Sequence, residues 1–133
     1  MTVDSYRPAG PLAVSRPADP GDPRWRVVLE SRWRARLLEV TELSLAYHDR
    51  AAAPVVSDGP GGGGAHAGGR QLRRLLNRAV AARRALADTE EALVRLAAGH
   101  FGRCEHCAAP IPAAQLAMEP EARYCPRCAP ATA

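Results

Sequence analysis

Apolar residues recur at helical spacing in two long stretches, separated by a stretch rich in glycine and proline. In the first stretch, steps of four and three residues join five apolar residues and one arginine: Leu29, Trp33, Arg36, Val40, Leu43 and Tyr47. Asp22 can cap the free N–H groups at the helix start, and Pro23 suits its first position. Since Pro54 stops the pattern, we predict a helix from about residue 24 to Ala52.

The second stretch has a cleaner pattern, in which apolar residues repeat in heptads. The two seam positions of its heptads are occupied by Leu72, Ala79, Leu86 and Leu93, and by Leu75, Ala82, Thr89 and Leu96. Gly99 is a suitable C-terminal stop. We therefore predict a second helix from about Arg70 to Ala98.

Two helices of similar length, each with one narrow apolar stripe, predict a mainly α protein built on an antiparallel helical hairpin, a coiled coil over residues 24–98. Residues 53–69, with two prolines and seven glycines, would form its Gly-rich tip loop. Two helices of a larger bundle and a coiled coil between chains are the alternatives. Residues 1–23 contain five prolines and no periodic pattern, which predicts a disordered N-terminal tail.

Composition limits what these 133 residues can build. Six aromatic residues are too few for a large globular core, which favours long helices with thin seams. The formal charge of +4 is too small to indicate nucleic-acid binding by itself. No apolar run is long enough to predict a membrane span, and the N-terminus does not resemble a signal peptide. We expect a cytoplasmic monomer.

Four cysteines near the C-terminus have the spacing of a metal site. Cys104 and Cys107 form one C-x-x-C pair, and Cys125 and Cys128 form a second after the segment 108–124. Two such pairs supply four thiolates to one Zn²⁺ ion in a tetrahedron, and a spacer of this length is usual for zinc. We therefore predict a zinc finger and a C-terminal tail over residues 99–133. Four protein ligands leave no open position, which indicates a structural metal.

Other interpretations of this segment remain open. Iron could occupy the site, or the thiolates could sense redox state. His106 could replace a ligand, although an exposed neighbour is the simpler interpretation. Arg103 and Arg127 either favour the thiolates by their charge or are merely solvated. The residues between the pairs predict a short helix that ends near Met118, with a small packing patch of Ile111, Leu116 and Met118.

At this point the chain resembles the DksA/TraR family of bacterial regulators, whose members combine a helical hairpin with a C-terminal four-cysteine zinc finger. The matching residues lie within 99–128: Gly99-His-Phe101-Gly102-Arg103-Cys104-Glu-His-Cys107, Ile111-Pro112, Leu116, Pro120, Ala122 and Cys125-Pro-Arg-Cys128. Ala108 stands where the family usually has glycine, and Gln115 where arginine commonly precedes leucine. The helices match in architecture alone.

The resemblance implies a transcription regulator that inserts its hairpin tip into the secondary channel of RNA polymerase. It also implies an acidic Asp-x-x-Asp-x-Ala pattern at that tip. Counting back from Cys104 places the pattern at Gly61, Gly64 and His66, so the acidic pair is absent.

We therefore expect a polymerase-binding protein that is not an enzyme, because the sequence has no catalytic triad, phosphate loop or open metal position. The arginines of the second helix could contact acidic surfaces of the channel, or form a solvated face with ion pairs within the helix. These residues are Arg70, Arg73, Arg74, Arg78, Arg83 and Arg84. A nucleic-acid-binding zinc ribbon and a redox-sensitive zinc protein are the alternative functions; direct nucleic-acid binding is not expected.

Overall fold

A computed structural model describes residues 20–53 and 63–129, with the backbone alone described at 63–67. Within these residues it contains three helices: α1 (Arg24–Ala52), α2 (Gly63–Ala97) and α3 (Ala113–Met118). Strand-like pairing in the described part is confined to an isolated bridge between Arg103 and Pro110. The predicted mainly α fold, with two long helices packed together and a C-terminal cysteine cluster, is confirmed. The proposed tail falls almost entirely on residues 1–19, which lie outside the described residues.

The chain divides into two compact units. The hairpin unit comprises residues 26–101, with α1 and α2. The cysteine unit comprises, among described residues, 20–25 and 102–129, with α3. Residues 20–25, placed by the sequence in the tail and the start of the hairpin, therefore belong with the cysteines. None of the described helices is long and apolar enough to cross a membrane.

The start of α1 and the end of α2 are capped by the residues that the sequence predicted. Asp22 Oδ1 accepts a hydrogen bond of 2.9 Å from the Arg24 N–H, satisfying one of the free donors at the start of α1. Hydrogen bonds from Arg24 lower the pKa of the Asp22 carboxyl. At the end of α2, Gly99 has φ +80, and the His100 N–H donates to the Arg95 carbonyl at 2.8 Å. This is a Schellman motif, which needs the left-handed conformation that glycine adopts without strain.

The hairpin unit is held together by the two predicted stripes. All six α1 positions and all eight α2 positions of these stripes are buried or half-buried. Leu43, Ala79 and Ala82 form a buried cluster, against which Val40 and Leu75 pack. Two of the three buried residues of this cluster are alanines, so the seam is built from small side chains, as the composition predicted.

Off the stripes, large apolar residues are exposed. Leu38 and Leu45 on α1 are each 59% exposed, although they are as apolar as Leu43. Arg36, the polar residue of the α1 stripe, is half-buried and lies 4.0 Å from the Glu39 carboxylate. Register on the helix, rather than residue type, therefore decides what is buried.

The predicted tip loop over residues 53–69 is too long, because α2 begins at Gly63 and not at Arg70. Glycine disfavours a helix by about 1 kcal/mol per residue relative to alanine. However, extending an existing helix fixes one residue for each hydrogen bond gained, so the long packed part of α2 carries the helix through these glycines.

The longer α2 changes the distal end of the hairpin. Leu43 of α1 packs beside Ala79 of α2. From this contact to the distal end, α1 continues for nine residues, to Ala52, and α2 for sixteen, to Gly63. At about 1.5 Å per residue, α2 extends beyond α1 by about seven residues, or roughly 10 Å. The distal end therefore contains helical backbone where the sequence predicted a loop.

Candidate metal centre

Each cysteine pair lies in a tight turn stabilised by backbone hydrogen bonds. In the first turn, the Ala108 N–H donates to the Cys104 carbonyl at 2.9 Å, and the Cys104 N–H donates to Ala109 at 2.8 Å. In the second, the N–H groups of Cys128 and Ala129 donate to the Cys125 carbonyl at 3.0 and 2.9 Å. In both turns the carbonyl of the first cysteine therefore accepts the bond that closes the loop.

Ala108 closes the first turn with φ 61, in the left-handed region. This conformation costs a residue with a Cβ atom about 1–2 kcal/mol, whereas glycine adopts it freely. The departure from the expected glycine at this position is therefore accommodated at the cost of local strain.

The four sulfur atoms converge on one point. The Sγ atoms of the four cysteines all lie within 4.8 Å of one another, and all four residues are free thiols. Cys107 Sγ and Cys125 Sγ are 3.7 Å apart. A tetrahedron with metal–sulfur distances of about 2.3 Å has edges of about 3.8 Å. The cluster can therefore hold one metal ion, and its size and all-sulfur donor set fit Zn²⁺.

Backbone dipoles favour thiolates at two of the four positions. Burial raises the pKa of the Cys104 thiol, but hydrogen bonds from the backbone of Cys107, Cys125 and His106 outweigh it and hold that pKa at about 6. Burial likewise opposes ionisation at Cys125, where backbone hydrogen bonds from Cys128 and Arg127 lower the pKa of the thiol.

Cys128 behaves in the opposite way. Burial, together with hydrogen bonds to the other three cysteines, raises the pKa of its thiol to about 12. Thiolates this close repel one another, so they do not all ionise unless a cation is present. A divalent ion bound to the four thiolates would remove this conflict.

The residues around the cluster connect the two turns. The Glu105 N–H donates to the Arg123 carbonyl at 2.8 Å, and the Gln115 side-chain amide donates to the Tyr124 carbonyl at 3.0 Å. These two bonds tie the first turn and α3 to the segment that leads into the second turn.

Two of the apolar residues predicted to pack together in this unit are buried. Ile111 and Leu116 are 3% and 1% exposed. Met118 does not join this patch, because it is 85% exposed. It lies two residues after Leu116 on α3, about 200° around the helix, and so faces away.

Gly102 makes a close contact that no sequence pattern indicated. Its φ is +78, and a Cβ atom at this position would lie 2.8 Å from both Cβ and Cγ of Pro20 and 3.4 Å from Leu116 Cδ1. Pro20 therefore packs directly on the turn before Cys104. Nothing in a proline-rich stretch at the other end of the chain could have indicated this contact.

The charged neighbours of the cysteines point to solvent. His106 is exposed, and it does not belong to the metal-ligating cluster. Arg103 and Arg127 are exposed as well. The lowered pKa values of the thiols have backbone hydrogen bonds as their cause, not the guanidinium charges that the sequence suggested.

No protein-family model and no curated protein matches this sequence. A similar solved structure is that of the transcription factor DksA2 from Pseudomonas aeruginosa. The TM-score is 0.72 at 21% sequence identity, and the similarity covers 91% of this chain and 88% of that chain. At this identity the likeness concerns the fold. The chain therefore has a DksA-like fold with a four-cysteine cluster, as the sequence resemblance implied.

Proposed function

We propose that this protein is a zinc-containing transcription regulator that binds RNA polymerase through its helical hairpin, by way of the secondary channel. The observation that carries the proposal is the DksA-like fold, which extends over both the hairpin and the cysteine unit. The neighbour with this fold is a transcription factor. The residues of 99–128 that resemble the DksA/TraR family give independent support, because that likeness lies in the sequence and not in the fold.

Zn²⁺ is the metal we assign to Cys104, Cys107, Cys125 and Cys128. Its role is structural, because four thiolates complete a tetrahedral shell and leave no position for water or substrate. Burial of two cysteines and the small apolar support around Ile111 and Leu116 mean that the ion supplies much of the stability of this unit. We assign the protein no catalytic activity, and we place it in the cytoplasm with the polymerase.

The action of the hairpin at the polymerase must differ from that of family members with an acidic tip. The positions of the acidic pattern are Gly61, Gly64 and His66 in this chain. The predicted tip loop keeps one carboxylate, Asp58, but lacks the acidic pair, so the action of that pair near the polymerase active centre does not carry over to this chain. We infer that the protein acts by occupying the channel and by contacts along the helices.

Retention of purified core RNA polymerase on the immobilised zinc-loaded protein tests the proposal. We expect the wild type to retain the polymerase at low salt. A variant whose residues 54–62 are replaced by an equal length of Gly-Ser repeat should retain less if the contact lies at the distal end.

A variant with the same replacement at residues 1–9 is the control for nonspecific effects of such a sequence. Loss of retention on removal of zinc would show that the cysteine unit is needed as well. Absence of retention by the wild type at low salt would refute the proposal.

A further inference from the structure

The positive charge of the protein is concentrated in the distal half of the hairpin. Residues 63–87 of α2 contain six arginines and no aspartate or glutamate. The facing part of α1, residues 40–52, adds Arg50 and two acids, Glu42 and Asp49. These two segments together carry seven arginines and two acids, a net charge of +5. Because the whole chain carries +4, the remainder has a net charge of −1.

The six arginines of residues 63–87 are not neutralised by neighbours on their own helix. Residues three or four positions apart on a helix can form ion pairs, and Asp88 is the one acid that stands in this relation to any of them, four residues after Arg84. In the described part of the chain, ion pairs between side chains lie elsewhere, for example between Arg26 and Glu30. All six arginines are exposed. The six arginines therefore form the solvated face considered from the sequence, but ion pairs within the helix do not neutralise it.

Four of these arginines lie on one face. Arg70, Arg73, Arg74 and Arg84 fall on the side of α2 opposite the seam at Leu72 and Ala79, because each residue turns the helix by about 100°. We call these four residues the arginine row. From its first member to its last, the row extends along about 21 Å of helix. Asn77 and Ala81 lie between its members and are also exposed, so small side chains leave the guanidinium groups accessible.

A long row of guanidinium groups matches a repeated anion, since each planar fork can bind a phosphate through two hydrogen bonds. The face offers no aromatic side chain on which an unpaired base could stack. Among the described residues of the distal half, Tyr47 is the one tyrosine, phenylalanine or tryptophan. It is half-buried and packs edge-on against His48, with the ring centroids 5.8 Å apart. Single strands depend on such stacking, so the row favours a duplex.

We propose that the arginine row is a binding surface for the phosphate backbone of duplex DNA, independent of base sequence. The major groove of B-form DNA, about 12 Å wide, admits an α-helix, whereas the major groove of A-form RNA is too narrow. The row lies on the outer face of α2, where α1 does not cover it. Because the row lies on the distal half of the hairpin, which the proposed function places in the polymerase channel, DNA would be bound by the free protein and released when the hairpin enters the channel.

The number of arginines predicts the salt dependence. Neutralising Z phosphates of B-DNA gives a slope of about −0.9Z in a plot of log K against log salt concentration. Four contacts predict a slope of about −3.6, so a change from about 50 to about 200 mM salt should weaken binding about 150-fold.

Fluorescence anisotropy with a labelled DNA duplex of arbitrary sequence, the full zinc-loaded chain and no polymerase tests the proposal. The test variant replaces all four residues of the row by glutamine, which retains helix propensity and length. Two variants with two substitutions each give a charge-matched comparison: one replaces Arg70 and Arg74 of the row by glutamine, and the control replaces Arg26 and Arg34, both exposed on the proximal half of α1. Circular dichroism establishes that the variants are folded. A second duplex of unrelated sequence and a duplex RNA of the same sequence complete the set, with polyglutamate as a competitor.

We expect the wild type and the control to bind both DNA duplexes with similar affinity and a slope near about −3.6. The row variant should bind at least about tenfold more weakly at low salt, with a slope near zero. The proposal is overturned if the variant at Arg70 and Arg74 binds as tightly as the control, or if the wild-type slope is shallower than about −1. Tighter binding of duplex RNA than of DNA would overturn it in favour of RNA. Displacement of the DNA by polyglutamate at an equal concentration of negative charge would overturn it in favour of an acidic protein surface. Because polymerase is absent, none of these outcomes depends on the polymerase assay.

Discussion

Leu43 gives the sharpest test of the hairpin packing. It is 7% exposed and lies in the cluster with Ala79 and Ala82. Leu43→Ala removes three carbon atoms, worth about 0.8 kcal/mol each when fully buried, or about 2.4 kcal/mol. The cavity that remains adds to this cost, but a seam between two helices can partly collapse. We expect a loss of about 2–3 kcal/mol in the free energy of unfolding.

Leu45→Ala is the matched control, because it makes the same change on the same helix two residues away. Leu45 is 59% exposed, so less than half of the transfer term applies, or about 1 kcal/mol. The higher helix propensity of alanine reduces this further. Urea unfolding of the zinc-loaded proteins, followed by far-ultraviolet circular dichroism, gives both values. Equal losses for Leu43→Ala and Leu45→Ala would refute the seam described here.

Three predictions concern the cysteine unit and can be followed by zinc release on heating with a chromogenic chelator. Gly102→Ala should release zinc at a lower temperature than Gly99→Ala, because both have φ near +80 but the new Cβ at Gly102 would also collide with Pro20; the reverse order would contradict the contact. Ala108→Gly should raise the temperature of zinc release. Relief of the left-handed strain, about 1–2 kcal/mol, exceeds the entropic cost of placing glycine there, about 0.4–1 kcal/mol. An unchanged release temperature would argue against φ 61 at this position. Cys107→Ser should leave less than one zinc per chain after dialysis against a chelator, measured by mass spectrometry, and a full equivalent would remove it from the ligand set.

The sequence predicted the seam well because apolar spacing at about 3.6 residues per turn is a direct consequence of helix geometry. Every position of the two predicted stripes is at least half-buried. Ala92, which is fully buried, was missed, since alanine occurs on every face of α2 and its position gives no contrast. A heptad pattern therefore identified the contact face but not its whole extent.

The cysteine cluster was equally accessible, because four ligands in two C-x-x-C pairs constrain the geometry before any folding is considered. Its surroundings were harder to predict. Met118 was expected to pack with Leu116, and the short helix α3 turns it outward. The contact of Pro20 with Gly102 depends on a tertiary approach between distant segments, for which local spacing carries no information.

The start of α2 was predicted too late because glycine is a strong local signal against a helix. Local preference weighs each residue separately, whereas helix growth depends on the residues already ordered. Residues 63–69 follow directly onto a helix held by the seam from Leu72 onward, so they extend it at a small cost per residue.

The distribution of charge along the chain is more informative than the net charge. The net charge of +4 did not by itself indicate nucleic-acid binding. No acid lies in α2 between Gly63 and Ala87. Arg70, Arg73, Arg74 and Arg84 are exposed, and helix geometry places them opposite the seam. Four zinc-bound thiolates would add two further negative charges to the cysteine unit, which increases the asymmetry. An anionic partner would therefore meet the distal half of the hairpin first, although the chain as a whole is close to neutral.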